Sequence, residues 1–150
     1  MKDKWLEKGL RMRRKVLTAK YVNWQLRAAD DFTMPVQELA TAAAWGMVWP
    51  RPGLALKSRS MITIAFLVAL NKPEELELHI AGALRNGVTK NEIREILLHS
   101  SSYCGFPAAL SAFRVARDYF AKYEKRKPAA KKSRRAKRKP AARKSPRAKR

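Results

Sequence analysis

Residues 45–89 read WGMVWPRPGLALKSRSMITIAFLVALNKPEELELHIAGALRNGVT. The segment WPRPGL near its start holds two prolines and a glycine, which end a helix and predict a loop. The run MITIAFLVAL is apolar on nearly every side, so we expect a helix at the centre of a bundle, with Ser58 as its N-cap. Pro73 suits the first turn of the following helix, and Gly87 suits its left-handed C-terminal cap. The stretch therefore predicts consecutive helices joined by short connections.

The rest of the chain carries the same helical signals, without the alternation of apolar and polar residues that is typical of strands. Thr89 and Glu92 form a T-x-x-E capping box for a helix that should reach about Tyr103. The remaining helices are expected at residues 4–26, at residues 35–49, and from residue 105 or 107 to about residue 123. About six helices with short connections predict an all-α protein that folds as a compact antiparallel bundle.

The positive charge of the chain is concentrated at its C-terminus. The 150 residues carry a formal net charge of +22, and fifteen of these charges lie in residues 125–150, which leaves +7 for residues 1–124. Residues 1–124 are expected to form the helical domain. The other residues of 125–150 are only Ala, Pro and Ser, so this segment lacks the large apolar side chains that form a core. Its composition predicts a disordered tail. This tail resembles those of linker-histone-like proteins and predicts non-specific nucleic-acid binding, with a solubilising extension as the alternative.

The location of the protein is predicted from its cysteine and its apolar runs. The single cysteine, Cys104, excludes an intrachain disulfide and is typical of a reducing compartment. The N-terminus has basic residues without an apolar run behind them, so no secretory signal is predicted. The most apolar run, residues 61–70, is too short to span a bilayer. We therefore expect a cytoplasmic protein without a membrane partner.

Two histidines each follow a glutamate by four residues on a predicted helix. Glu75 lies one turn before His79 and could orient its imidazole or raise its pKa. Such a pair is suited to proton transfer, although the residues alone favour a partly buried histidine with a local ion pair. His99 follows Glu95 with the same spacing and lies one turn before Tyr103. A purely structural pair on the helix face is harder to dismiss for His99 than for His79.

Two arginines and two tryptophans lie in or near the Pro- and Gly-rich loop. Arg51 and Arg59 are candidates for binding substrate carboxylates, because a guanidinium group makes two parallel hydrogen bonds to a carboxylate; solvated surface charge is the alternative. Arg59 is the better candidate, because it lies at the start of the most apolar helix. Trp45 and Trp49 lie one helical turn apart and predict core packing, with the wall of an apolar pocket as the alternative.

An ordered set of segments between residues 9 and 113 resembles the carboxymuconolactone decarboxylase family. The set includes PVQELATAAAWGMVWPRPGL, KSRSMITIAFLVAL, ELELHIAGALRNGVT, EIREILLH and YCGFPAALSAF. The family's ELxLHI block carries its histidine at the position of His79, which reverses the preference for a purely structural role. The resemblance implies an all-helical AhpD-like fold and a ring-like homo-oligomer, a trimer or hexamer, with active sites near subunit contacts.

The activity implied by the resemblance is the cofactor-independent decarboxylation of 4-carboxymuconolactone to 3-oxoadipate enol-lactone. This reaction belongs to protocatechuate breakdown in the β-ketoadipate pathway of aromatic catabolism, and it requires neither a cofactor nor a metal. The resemblance implies that His79, oriented by Glu75, delivers the proton. The residues expected to contact the substrate are Arg59, Arg51, His99, Tyr103 and Trp45.

Two features separate this chain from relatives with other chemistry. Peroxidases of the wider superfamily carry a CxxC motif before the histidine, whereas residues 73–79 read PEELELH. Cys104 is therefore expected to be a packing residue and not part of a dithiol site. Arg114 stands where some decarboxylases of the family have a histidine, so another lactone or carboxylic acid is the alternative substrate. A nucleic-acid-associated oligomer that acts through its basic tail is the second alternative.

Overall fold

The computed structural model describes residues 2–126, and the side chains of residues 4–123. Within residues 2–126 the chain forms seven α-helices and one π-helix and contains no strand, which confirms the all-α fold. The elements are α1 (Lys2–Leu17), α2 (Ala19–Ala28), α3 (Met34–Ala40), the π-helix (Thr41–Val48), α4 (Leu56–Ala69), α5 (Pro73–Arg85), α6 (Lys90–Cys104) and α7 (Phe106–Arg126). The predicted basic tail lies outside the described residues except for the backbone of its first two positions. No helix in the described part of the chain is long and apolar enough to cross a membrane.

The first predicted helix is interrupted, so the prediction of one helix over residues 4–26 is wrong. Thr18 adopts a φ of 82°, which is incompatible with a continuing α-helix, and its hydroxyl accepts the N–H of Tyr21 at 3.3 Å as the N-cap of α2. A positive φ is rare for a β-branched residue, and no local sequence pattern predicts one at this position. After the break, Val22 of α2 is buried and Tyr21 is half-buried.

The second predicted helix, residues 35–49, consists of α3 followed directly by the π-helix. Within this element the N–H of Trp49 bonds to the carbonyl of Ala44 at 2.9 Å, a spacing of five residues. The π-helix lies directly against α1. A Cβ atom at Gly9 would collide with the carbonyl oxygen of Thr41, and one at Gly46 with that of Trp5, so only glycine permits this approach.

Two apolar clusters form the core. One lies among α4, α5, α6 and α7 and includes Ile64, Ile80 and Leu97. The other joins α1 and α2 to the π-helix and contains Val16, Leu17, Val22, Trp45 and Trp49. The two tryptophans are only 7% and 8% exposed, which confirms their predicted core packing.

The α4 helix is less central than its sequence predicts. Ile64 and Val68 are buried, but Phe66 is 62% and Leu70 66% exposed, so one apolar face of α4 remains uncovered in the single chain. The predicted N-cap is also wrong, because α4 begins at Leu56 after Ala55, and Ser58 lies inside its first turn. An extended Ala55 backbone places the helix start three residues earlier than the polar side chain suggests.

The boundaries of α5 and α6 follow the local sequence signals. Pro73 is the first residue of α5, and Gly87 has the expected left-handed backbone with a φ of 86°. Thr89 Oγ1 accepts the N–H of Glu92 at 3.1 Å, and Glu92 Oε2 accepts the N–H of Thr89 at 2.8 Å, which confirms the capping box. Hydrogen bonds from Lys57 and from the Thr89 backbone lower the pKa of Glu92 to about 2.

Candidate active site

A stack of three rings occupies the side of the domain where α5 faces the π-helix. The imidazole of His79 lies 6.1 Å from the ring of Trp45, with an interplanar angle of 8°, and 6.4 Å from that of Trp49. The two indole rings stack on each other at 4.7 Å. We call His79, Trp45 and Trp49 the ring cluster. One of the two histidines therefore lies against the tryptophans of the second apolar cluster.

Burial controls the charge of His79. Desolvation lowers the pKa of the His79 imidazole to about 4, although the carboxylate of Glu75 acts in the opposite direction. Glu75 raises the pKa of His79, as the sequence predicts, but burial has the larger effect and the net shift is downward. With a pKa of about 4, the His79 imidazole is neutral near pH 7.

Arg59 and Arg51 meet at the start of α4. Arg59 Nη2 donates to the carbonyl oxygen of Arg51 at 3.0 Å, while Arg59 Nε is buried without a hydrogen-bond partner among the described residues. Leu56, one turn before Arg59, packs against the same apolar cluster as Trp49. The guanidinium of Arg59 therefore lies beside the loop that follows the ring cluster, whereas Arg51 is exposed. An unpartnered buried N–H is costly, and an anionic ligand would satisfy it.

A second buried arginine was not singled out by the sequence. Arg13 is 6% exposed, and its guanidinium donates to Thr41 Oγ1 at 2.9 Å, to Gln37 Oε1 at 2.8 Å and to Gln25 Oε1 at 3.2 Å. All three acceptors are neutral, and burial lowers the pKa of Arg13. Among 34 basic residues in the chain, nothing local distinguishes this arginine. Only the close packing of α1 on the π-helix buries it.

Tyr21 connects this arginine with the ring cluster. Gln25 Nε2 donates to the Tyr21 hydroxyl at 2.8 Å, and the Tyr21 ring packs against the apolar cluster that holds Trp45 and Trp49. Burial and the carboxylate of Glu75 raise the pKa of Tyr21, while Arg13 opposes them. Glu75 thus acts on both Tyr21 and His79. No local pattern indicates this role, because Tyr21 occupies one of the apolar positions of a predicted helix.

The other predicted site residues lie elsewhere. His99 lines a groove of about 650 Å³ between α4 and α6, together with Met61, Ile62, Ala65, Asn91, Glu92, Arg94, Glu95, Ile96 and Ser100. The ring of Tyr103 lies tilted against that of His99, with ring centres 5.0 Å apart and an interplanar angle of 52°, and Tyr103 is 79% exposed. His79 is not among the residues that line this groove, so within one chain His99 and Tyr103 do not share its surroundings.

Cys104 and Arg114 also lie outside the ring cluster. Cys104 is a free, partly buried thiol at the end of α6. Arg114 lines a polar cleft of about 300 Å³ between α5 and α7, where Lys122 Nζ and Glu77 Oε1 are 3.1 Å apart. In residues 2–126, no three His, Cys, Asp or Glu side chains come together in a way that could hold a metal ion.

Comparison with known proteins agrees with these observations. The model of the carboxymuconolactone decarboxylase family matches residues 35–118, a range that includes the π-helix, α4, α5, α6 and most of α7. The chain is 43% identical over 114 residues to the 4-carboxymuconolactone decarboxylase of Acinetobacter baylyi, covering 76% of this chain and 85% of that protein. It is 47% identical over 109 residues to the nitrosuccinic acid decarboxylase npaB of Metarhizium robertsii, covering 73% of this chain and 76% of that protein. Because the family model spans more than half of the chain, the chain belongs to the carboxymuconolactone decarboxylase family.

Proposed function

We propose that this protein is a cofactor-independent carboxy-lyase that converts 4-carboxymuconolactone to 3-oxoadipate enol-lactone and carbon dioxide. The observation that carries the proposal is the 43% identity to a 4-carboxymuconolactone decarboxylase, over 85% of that protein's length. The ring cluster supports it, because it places an imidazole and apolar walls together within the region matched by the family model. The same proposal places the reaction in the catabolism of aromatic compounds.

The substrate itself can accept the electrons that decarboxylation releases. When the bond between the ring carbon and the departing carboxylate breaks, its electron pair is conjugated through the ring double bond to the lactone carbonyl. The intermediate is a furan-like dienolate with negative charge on the former carbonyl oxygen. The protein must then anchor the second carboxylate, stabilise this oxyanion and deliver one proton to carbon.

Arg59 is proposed to anchor a substrate carboxylate, with Arg51 at the outer edge of the site. The buried Nε of Arg59 has no partner among the described residues, and a carboxylate oxygen would supply one. The carbonyl oxygen of Arg51 already accepts a hydrogen bond from Arg59 Nη2, which orients the guanidinium group. An anion bound here would lie beside the loop that follows Trp49, and Trp45 would contribute an apolar wall.

His79 is proposed to deliver the proton, although it is neutral in the free protein near pH 7. The substrate brings two carboxylates, and negative charge beside a desolvated imidazole raises its pKa. Proton uptake by His79 is therefore coupled to substrate binding, and the carbon of the dienolate receives that proton after carbon dioxide has left. Glu75, one turn earlier on α5, stabilises the protonated form.

His99 and Tyr103 are proposed to reach a substrate only across a subunit contact. Several large apolar side chains of α4, α6 and α7 are exposed in the single chain, among them Phe66, Leu98 and Phe106, at 62%, 49% and 70%. Exposed apolar side chains of this size are typical of surfaces that another protein covers. We therefore propose a homo-oligomer, a trimer or hexamer, which sedimentation equilibrium of the full chain would test.

The test of the activity mixes purified protein with 4-carboxymuconolactone and follows carbon dioxide release and enol-lactone formation. His79→Gln should lower kcat by about 10²-fold or more, because it removes the proton donor. Arg59→Met should mainly raise KM, by about ten- to hundredfold, because it removes charged hydrogen bonds to a carboxylate. Arg117→Met removes an exposed arginine of α7 and serves as the control. Turnover that survives His79→Gln in a folded protein would contradict the proton-donor role.

A second candidate substrate is nitrosuccinic acid, favoured by the 47% identity to a decarboxylase of that name. This acid also has two carboxyl groups, and its nitro group can accept the electron pair left by decarboxylation. The requirements for Arg59 and His79 are then unchanged. Parallel assays with both substrates at equal concentration separate the candidates through the ratio of their kcat/KM values.

Residues 125–150 are proposed to bind nucleic acid without sequence specificity, since fifteen Lys or Arg in 26 residues would release counterions from a phosphate backbone. Retention on DNA should fall steeply with salt and should be lost when residues 125–150 are deleted. Retention that is unchanged by the deletion would contradict this role.

A cytoplasmic location is also proposed, supported by the single free Cys104, and cell fractionation would test it.

A further inference from the structure

The hydrogen bonds around Gln25 determine which way its amide group points. Arg13 can only donate hydrogen bonds, so the Gln25 atom that faces Arg13 Nη2 at 3.2 Å must be the oxygen. The Gln25 amide nitrogen therefore faces Tyr21 and donates to its hydroxyl oxygen at 2.8 Å. This assignment follows from the chemistry of arginine and not from the arbitrary choice between two similar amide atoms.

The consequence concerns the hydrogen of the Tyr21 hydroxyl. Because the hydroxyl oxygen accepts from Gln25, its own hydrogen is directed to a different acceptor. Among the hydrogen bonds of residues 4–123, none is donated by this hydroxyl. A phenol that accepts from an amide polarised by a buried cation is also a better hydrogen-bond donor, since linked hydrogen bonds strengthen one another.

The ring of Tyr21 packs against the same apolar cluster as the tryptophans of the candidate active site. Leu78, the neighbour of His79, also packs against this cluster, which contains Trp45 and Trp49. The carboxylate of Glu75 acts electrostatically on both Tyr21 and His79. Tyr21 is partly buried, so its hydroxyl lies where a hydrogen bond is only partly weakened by water.

We propose that Tyr21 is a catalytic residue whose hydroxyl donates a hydrogen bond to the oxyanion of the lactone dienolate, with Gln25 and Arg13 as positioning residues. The inference rests on the proposed function and supplies the oxyanion donor that the reaction needs. As the carbon–carbon bond to the departing carboxylate breaks, its electron pair reaches the lactone oxygen and carbon dioxide leaves. Tyr21 keeps its proton throughout, and the proton added to carbon comes from His79.

Two substitutions test the hydroxyl and its orientation separately. Tyr21→Phe keeps the ring but removes the donor, and it should lower kcat by about 10²-fold with little change in KM. Gln25→Glu keeps the Tyr21 hydroxyl but replaces the donating amide with an acceptor, which captures the phenolic hydrogen. It should lower kcat in the same way. Tyr119→Phe removes a hydroxyl from α7 and is the matched control.

A binding experiment separates this inference from the proposed function. Tetronate is the anion of a small acidic lactone and carries its charge on an enolate oxygen of a five-membered ring. Calorimetry should show that the unmodified protein binds tetronate and that Tyr21→Phe binds it about ten- to hundredfold more weakly. The neutral O-methyl ether of the same lactone should lose no affinity on this substitution.

Each result of these experiments is decisive. If tetronate binding depends on Tyr21 but neither 4-carboxymuconolactone nor nitrosuccinic acid is turned over, Tyr21 is an oxyanion donor for another substrate and the proposed function is wrong. If both proteins bind tetronate equally, or the unmodified protein does not bind it, Tyr21 is not an oxyanion donor. The inference is also overturned if Tyr21→Phe retains the kcat of the unmodified enzyme. Far-UV circular dichroism of each variant confirms that it has folded.

Discussion

The desolvation of His79 predicts a pH-dependent contribution to stability that a single substitution can isolate. Burial lowers the pKa of this imidazole in the folded protein from 6.5 to about 4. Between these values the unfolded chain binds a proton that the folded protein does not bind, so the free energy of unfolding rises with pH through this window. The stabilisation is fully present above pH 6.5, is lost progressively on acidification, and changes no further below about pH 4.

The size of the effect follows from the same two values. One pKa unit corresponds to about 1.4 kcal/mol. The interval from 6.5 to about 4 therefore corresponds to about 3 kcal/mol. The substitution His79→Gln removes the titrating group and keeps a polar side chain of similar length. Relative to this variant, the unmodified protein should lose about 3 kcal/mol of stability between pH 7.5 and pH 4.

Urea denaturation of both proteins at a series of pH values measures this difference, because contributions from the shared carboxylates cancel. The chain has two histidines, so His99→Gln leaves His79 as the only imidazole for an NMR titration. That signal should titrate near pH 4. A difference in unfolding free energy that does not vary with pH, or a titration near pH 6.5, would refute the desolvation of His79 by the ring cluster.

Three further predictions concern packing, capping and proton transfer. Gly46→Ala should destabilise the protein by about 3 kcal/mol, because the added Cβ would collide with the backbone of Trp5. Gly53→Ala is the control, since nothing lies within 4 Å of a Cβ at that position. Equal denaturation midpoints for the two variants would contradict the close approach of Gly46 to Trp5. Thr89→Ala should cost about 1 kcal/mol in urea denaturation through loss of the N-cap, and an unchanged midpoint would show that the cap contributes nothing. If protonated His79 is the proton donor, kcat/KM should fall about tenfold for each pH unit above about pH 5, as long as the substrate stays ionised. A value of kcat/KM that does not change between about pH 5.5 and 8 would show that another group donates the proton.

Local sequence signals predicted those elements whose ends depend on the chain itself. The local signals act on the backbone within a few residues of their own position; they are Pro73, Gly87 and the Thr89–Glu92 capping box. The helices α5 and α6 therefore lie where the sequence predicts them. The loop that contains Pro50, Pro52 and Gly53 was predictable for the same reason. In each case the backbone conformation is set by neighbours along the sequence.

Other features were set by neighbours in space and were missed. Thr18 takes a positive φ in the middle of a stretch with uninterrupted helical patterning, and the helix after Ala40 has π geometry. Both features lie where α1, α2 and the π-helix pack together, with Gly9 and Gly46 at the point of closest approach. A helical pattern predicts which face is apolar, but it does not report the close approach of another backbone.

Residue types and their order along the chain were enough to predict the helical class and, through the family resemblance, to select His79 and Arg59 as candidate site residues. Both predictions use local information, namely the periodicity of apolar residues and short segments such as ELELHI. Contacts between helices decide that His79 stacks on Trp45 and is neutral near pH 7, and that His99 lines a separate groove. They also place the Tyr21 ring against the apolar cluster that holds Trp45 and Trp49. These features were not predictable because burial, and with it the charge of an imidazole or the direction of a hydroxyl, depends on contacts between elements distant in sequence.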